Sequence, residues 1–163
     1  RLVEEYPKLF PNDVTFRIGQ SDPAKDWFFQ HTPHLEAGTP SGYRDFFGYS
    51  GRGRATPYRI VFSMPRAGKG RTTLRIAVSG TGSATTLGIT VNGKSAGALP
   101  LPGDGVMTRH QISARWYEFE VPFDGSLLQA GENTLVITVP EGSLNSGVIY
   151  DYLRLQLAES ATA

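Results

Sequence analysis

The chain has 163 residues, 39% of them hydrophobic and 19% charged, with a formal net charge of +1. That length supports one domain with its own core. The near-neutral balance gives no general attraction to nucleic acid, and no apolar run approaches the roughly 20 residues a bilayer-spanning helix needs. With Cys 0 there is no disulfide framework and no thiol chemistry, although a domain of this size can be secreted without bridges. Gly 19 and Pro 11 call for many turns and favour an all-β chain over a helical one. The chain starts at Arg1 without Met or a signal-like segment, so an excised module or a processed fragment is expected.

In chain order, residues 1–12 are short apolar and polar fragments interrupted by prolines, expected to form a connecting segment packed on the surface. Residues 13–158 form the domain proper and 159–163 a tail. Val14, Phe16 and Ile18 share one face of the first strand. From Gln20 to Thr56 the chain holds Trp27, Phe28, Phe29, Tyr43, Phe46, Phe47 and Tyr49 with no sustained period. A segment of this length is more often functional than not, or it contains short elements, and its aromatics argue against disorder.

From Pro57 onward the alternation is regular. Tyr58, Ile60, Phe62 and Met64 define one strand face, Leu74, Ile76 and Val78 the next, and Leu87, Ile89 and Val91 a third. The third ends in Asn92-Gly93, a hairpin signal. Residues 98–105, ALPLPGDG, read as a Pro/Gly-rich link running to Val106. Tyr117, Phe119 and Val121 mark another strand, a helical turn is expected within Gly125–Ala130, and Leu135, Ile137 and Val139 follow. At least seven one-faced strands must pair two faces to make a core, which is a β-sandwich. A jelly roll of two antiparallel sheets is favoured, although periodicity alone does not separate it from an immunoglobulin-like order.

The closing strand, Gly147 to Leu157, holds an anomaly. Period two places Asp151 among Ile149, Leu153, Leu155 and Leu157 on one face. An unpaired buried carboxylate is costly, so Asp151 is expected either to have a partner (an arginine, backbone N–H groups or a cation) or to sit half solvated at the strand edge. Asp22, Asp26 and Asp151 are hard oxygen ligands that suit a structural calcium ion, and Asp151 is the candidate among them, although no local calcium loop is present.

Several strings occur together: Ile18-Gly19-Gln20-Ser21-Asp22 with Lys25-Asp26-Trp27-Phe28-Phe29, then Val91-Asn92-Gly93, Arg109-His110, Gly131-Glu132-Asn133-Thr134-Leu135, and Val148 through Leu155. In this order and spacing the chain resembles, from about Asn12 to Leu157, the C-terminal domain of the rhamnogalacturonan lyases of polysaccharide lyase family four. The resemblance implies a jelly roll like a carbohydrate-binding module and an extracellular or periplasmic setting. It also implies a chain without the catalytic lysine and histidine, which lie in a separate domain of such lyases. After Arg109-His110 the sequence reads Gln111-Ile112-Ser113-Ala114 where the family pattern has a glycine-rich run with a second histidine.

Binding an acidic pectic chain needs aromatic faces for sugar rings and arginines for uronate carboxylates. Two stretches have these types. One centres on Trp27, extending toward His31, His34, Tyr43 and Arg44; its bland alternative is that Trp27 closes one end of the core. The other runs from Arg109 and His110 to Arg115 and Trp116, where the strand phase points Trp116 outward; a contact to a neighbouring domain is the alternative. Arg17, Arg59 and Arg75 make a basic stripe only if their strands are neighbours. His31 and His34 are three apart, a spacing that would suit a metal pair only on a helix, and Pro33 sits between them. No serine elbow, HExxH or phosphate-binding loop occurs. The expected partners are a pectic polysaccharide (rhamnogalacturonan) and the catalytic domain of a parent lyase. The alternative is a structural domain that packs on its neighbours without binding sugar.

Overall fold

Alternating side chains bury one face of each strand, and two such faces close on each other. The computed structural model describes residues 2–36, 44–45, 48–49, 51–106 and 115–158. The chain opens with helix α1 (Leu2–Leu9), strand β1 (Val14–Arg17), the single helical turn α2 (Pro23–Asp26) and β2 (Gln30–His31). Three two-residue strands follow, β3 (Arg44–Asp45), β4 (Gly48–Tyr49) and β5 (Arg52–Gly53). The long strands are β6 (Thr56–Met64), β7 (Arg71–Thr81), β8 (Thr85–Val91), β9 (Lys94–Leu101), β10 (Tyr117–Asp124), β11 (Gly131–Val139) and β13 (Val148–Gln156), with the short β12 (Gly142–Ser143) before the last. A 3-10 turn spans Gly125–Leu127, inside the stretch expected to hold a helical turn.

One sheet has the order β1-β6-β11-β8-β9 and faces a second of order β10-β7-β13-β2. From β6 to β13 the long strands alternate between the sheets, except for the β8–β9 hairpin, which stays within one. This wrapping is a jelly-roll sandwich. The apolar sets of β7, β8 and β11 (Leu74, Ile76, Val78; Leu87, Ile89, Val91; Leu135, Ile137, Val139) are all buried in one cluster. The hairpin turn forms at Asn92-Gly93, where φ is 51° and 77°, the left-handed geometry that this dipeptide accepts. The Asn92 amide also donates to Asn133 Oδ1 at 2.8 Å and accepts from Thr134 N–H at 2.9 Å, tying the turn to the start of β11.

Three details differ from the sequence reading, and a fourth decides a condition it left open. The first dozen residues are not a surface connector: Tyr6 of α1 is fully buried and its ring stacks on His34 with centroids 3.6 Å apart. The expected link from 98 begins as strand, since β9 runs to Leu101; β9 is an edge strand, the position in a sheet where proline is tolerated. β1 pairs with β6 in parallel and is the exception in otherwise antiparallel sheets. A parallel pair needs a long crossover, and the aromatic segment after β1 is that crossover, placing β2 in the opposite sheet on its way. Finally, Arg17 and Arg59 lie on the first sheet and Arg75 on the second, so no stripe of three arginines forms.

Candidate functional site

The site begins with a pair of irregularities in one ladder. Along β13 and β7, Ile149 faces Gly80, Tyr150 faces Val78 and Tyr152 faces Ala77. Ser79 and Asp151 therefore each have no opposite residue. An extra residue in a strand shifts the side-chain phase after it. Val148 and Tyr150 are buried before the bulge, and Leu153 and Leu155 pack on the core after it, while Asp151 and Tyr152 are both exposed. The carboxylate expected on an apolar face is thus carried out to solvent. Its partner is neither an arginine nor a backbone cluster: Trp116 Nε1–H donates to Asp151 Oδ2 at 2.9 Å.

Trp116 stands just before β10 and is 57% exposed, as the strand phase predicted. Arg115 beside it is also exposed. Arg109 and His110 lie outside the described residues, as do Tyr43, Phe46 and Phe47. Beyond Trp116, the outer face of the second sheet is polar. Tyr152 O–H donates to Glu118, which holds the phenol above its usual pKa. Glu118 and Glu120 both pair with Arg75, at 2.9 and 2.6 Å, and Arg75 Nε donates to Gln156. Arg75 is fully engaged within its own sheet face, and Arg17 pairs with Glu132 at 3.3 Å.

Trp27 follows α2, whose start is capped by the Asp22 carboxylate accepting from Ala24 N–H at 2.9 Å. The indole is partly buried. It meets the rings of Tyr58 (5.2 Å), Tyr150 (5.6 Å) and Phe16 (5.9 Å), so it closes one side of the core as the bland alternative held. It also lines a cleft of about 230 Å³ shared with Phe16, Ile18, Ile60, Asp151, Tyr152 and Leu153. The cleft lies where edge strand β1 and its neighbour β6 approach β13. Asp151 is therefore a member of both surfaces: it lines the cleft with Trp27 and holds Trp116. Among the described residues, Trp27 of one candidate stretch and Trp116 of the other are thus linked in space through Asp151. Periodicity puts Phe16, Ile18 and Ile60 on apolar strand faces; their place in an open cleft follows from β1 being a sheet edge, which alternation does not encode.

Behind the cleft sits a buried histidine pair. His31 Nε2–H donates to the Thr56 carbonyl at 2.6 Å and Nδ1 accepts from the Tyr150 hydroxyl at 2.8 Å, which assigns the neutral Nε2–H tautomer. Its ring stacks on Tyr58 at 3.6 Å. Burial lowers both His31 and His34 to a pKa of about 3 and pushes the phenols of Tyr6, Tyr58 and Tyr150 up. These are core histidines rather than exposed ligands. Among the described residues, no group of three or more His, Asp or Glu side chains is arranged for a metal. Asp22 and Asp26 instead accept backbone N–H groups of their own turn.

Compared with known proteins, residues 2–155 match the family model described as CBM-like, polysaccharide lyase family 4, domain III. A rhamnogalacturonate lyase from Dickeya dadantii (strain 3937) is 27% identical over 147 residues, which is 89% of this chain and 22% of that protein. The chain thus spans about a fifth of the length of this curated relative. Among solved structures, a family 35 carbohydrate binding module from an environmental isolate has a TM-score of 0.44 at 15% identity, covering 84% of this chain and 99% of that one. A family 35 module from Clostridium thermocellum has a TM-score of 0.42 at 19% identity, covering 62% and 68%.

Proposed function

Because the chain belongs to the CBM-like domain III family of polysaccharide lyase family 4, we propose that it is a non-catalytic accessory module of a rhamnogalacturonan lyase and binds acidic pectic polysaccharide outside the cell or in the periplasm. Tethered to a catalytic domain that performs β-elimination, such a module raises the local concentration of substrate. The observation that carries the reading is Trp116. A large apolar ring that is mostly exposed is held in one orientation by Asp151, and a ring fixed before binding loses little freedom on stacking against a sugar. The exposed Arg115 beside Trp116 is the first candidate to meet a uronate carboxylate, with Arg109 and His110 as further candidates on the adjoining segment. Trp27 supports the site from the cleft side.

Calorimetric titration with rhamnogalacturonan oligosaccharides at low and high salt, with homogalacturonan as control, tests this. Salt-sensitive binding in the micromolar to millimolar range is expected from a few stacking and charge contacts. Absence of heat at millimolar ligand overturns it. A structural reading draws on Leu9, Phe29 and Leu157, which are exposed apolar side chains of the kind that pack on neighbouring domains. It predicts that polar substitution of these three lowers the stability of the full enzyme and leaves sugar binding unchanged.

A further inference from the structure

The proposed polymer carries two kinds of unit: galacturonate, which is acidic, and rhamnose, a neutral 6-deoxyhexose whose C5 bears a methyl group. We infer that the cleft between β1 and β13 is a subsite for the 6-deoxyhexose and turns the uronate away. This deepens the binding reading above and rests on it.

Three observations carry the assignment. The cleft walls are apolar side chains, Phe16 of β1 and Ile18 just past its end, Ile60 of β6 and Leu153 of β13, together with Trp27. A methyl group gains from such a wall, whereas a carboxylate must leave water to enter it. The cleft is also small. Its volume of about 230 Å³ lies below the roughly 300–1,000 Å³ of sites for drug-sized ligands, so it suits one sugar ring. Its charged lining residue is Asp151. A carboxylate has about four acceptor positions, and Trp116 occupies one of them at 2.9 Å. The rest can accept sugar hydroxyls, but they repel a second carboxylate. The flanking uronate then lies toward the exposed Arg115, past Trp116, and Asp151 sets the register of the alternating chain by keeping the acidic unit out of the cleft.

The test uses the chain with methyl α-L-rhamnoside, its 6-hydroxy counterpart methyl α-L-mannoside and methyl galacturonide as NMR titrants. Calorimetry with a rhamnogalacturonan oligosaccharide runs alongside. Ile18 is 61% exposed, so Ile18→Asp alters the cleft rim without opening the core. Asp151→Asn removes the charge and keeps an acceptor for the indole. Expected results are indole shifts at Trp27 and Trp116 with the rhamnoside, and about fourfold tighter binding than the mannoside, the worth of one methylene-sized apolar contact. Ile18→Asp weakens rhamnoside and oligosaccharide together. Asp151→Asn raises the affinity for galacturonide relative to rhamnoside. If the oligosaccharide binds but the rhamnoside leaves Trp27 unshifted and Ile18→Asp binds as the parent does, the subsite is overturned while the binding function stands. An unchanged uronate ratio in Asp151→Asn overturns the charge argument. If no oligosaccharide binds, both readings fall.

Discussion

Acid should destabilise this domain through His31 and His34. Both imidazoles are buried, with desolvation the main cause of a folded pKa of about 3; the Arg54 guanidinium further disfavours a charge on His34, and the two rings disfavour charging side by side. The unfolded value is about 6.5. The folded pKa is depressed, so between these two values the unfolded chain binds protons that the folded chain does not. Stability is complete above pH 6.5 and falls as pH drops toward 3. At pH 5 the gap of about 1.5 units at about 1.4 kcal/mol each amounts to roughly 2 kcal/mol per histidine, or about 4 kcal/mol for the pair. In a domain of this size 1 kcal/mol moves the melting temperature by roughly 2–4 °C, so the midpoint should fall by about 10 °C between pH 7 and pH 5. Thermal melts followed by circular dichroism at half-unit steps measure this. The double variant His31→Gln, His34→Gln should be less stable at pH 7 and much flatter across the window. A parent midpoint constant within about 2 °C from pH 7 to 5 would falsify the assignment of both rings as buried and neutral.

Other expectations concern the strand that builds the site. Gly147, with φ at 116°, enters β13 so close to β2 that an added Cβ would lie 2.1 Å from the His31 carbonyl oxygen. Gly147→Ala should therefore cost at least about 2 kcal/mol from backbone strain and displacement of β2, read as a lowered urea midpoint; an unchanged midpoint refutes the close approach. Tyr150→Phe removes the hydroxyl on which His31 Nδ1 depends and should cost about 1–3 kcal/mol, the penalty for a buried acceptor left unpaired. Trp116→Ala should lower oligosaccharide affinity by about tenfold, near the upper end of an aromatic contact, while the melting temperature stays within about 2 °C. A fall in both would move Trp116 from the site into the structural frame.

What the amino-acid order determined by itself is local. Alternation in β7, β8 and β11 names the buried set correctly, because a strand's two faces are decided by neighbours two residues apart. Asn92-Gly93 names its turn, because the left-handed geometry is a property of those two residues. The outward direction of Trp116 follows from the same phase counting. The partner of Asp151 could not be read this way. Its escape from the apolar face depends on an extra residue in β13 set against one at Ser79 in β7, and where two distant strands slip is settled by packing across the sheet. The burial of Tyr6 and His31, and the linking of Trp27 and Trp116 through Asp151, likewise depend on which strands become edges and which elements cover them. Those are relations between segments far apart in the chain, and only the closed sandwich brings them together.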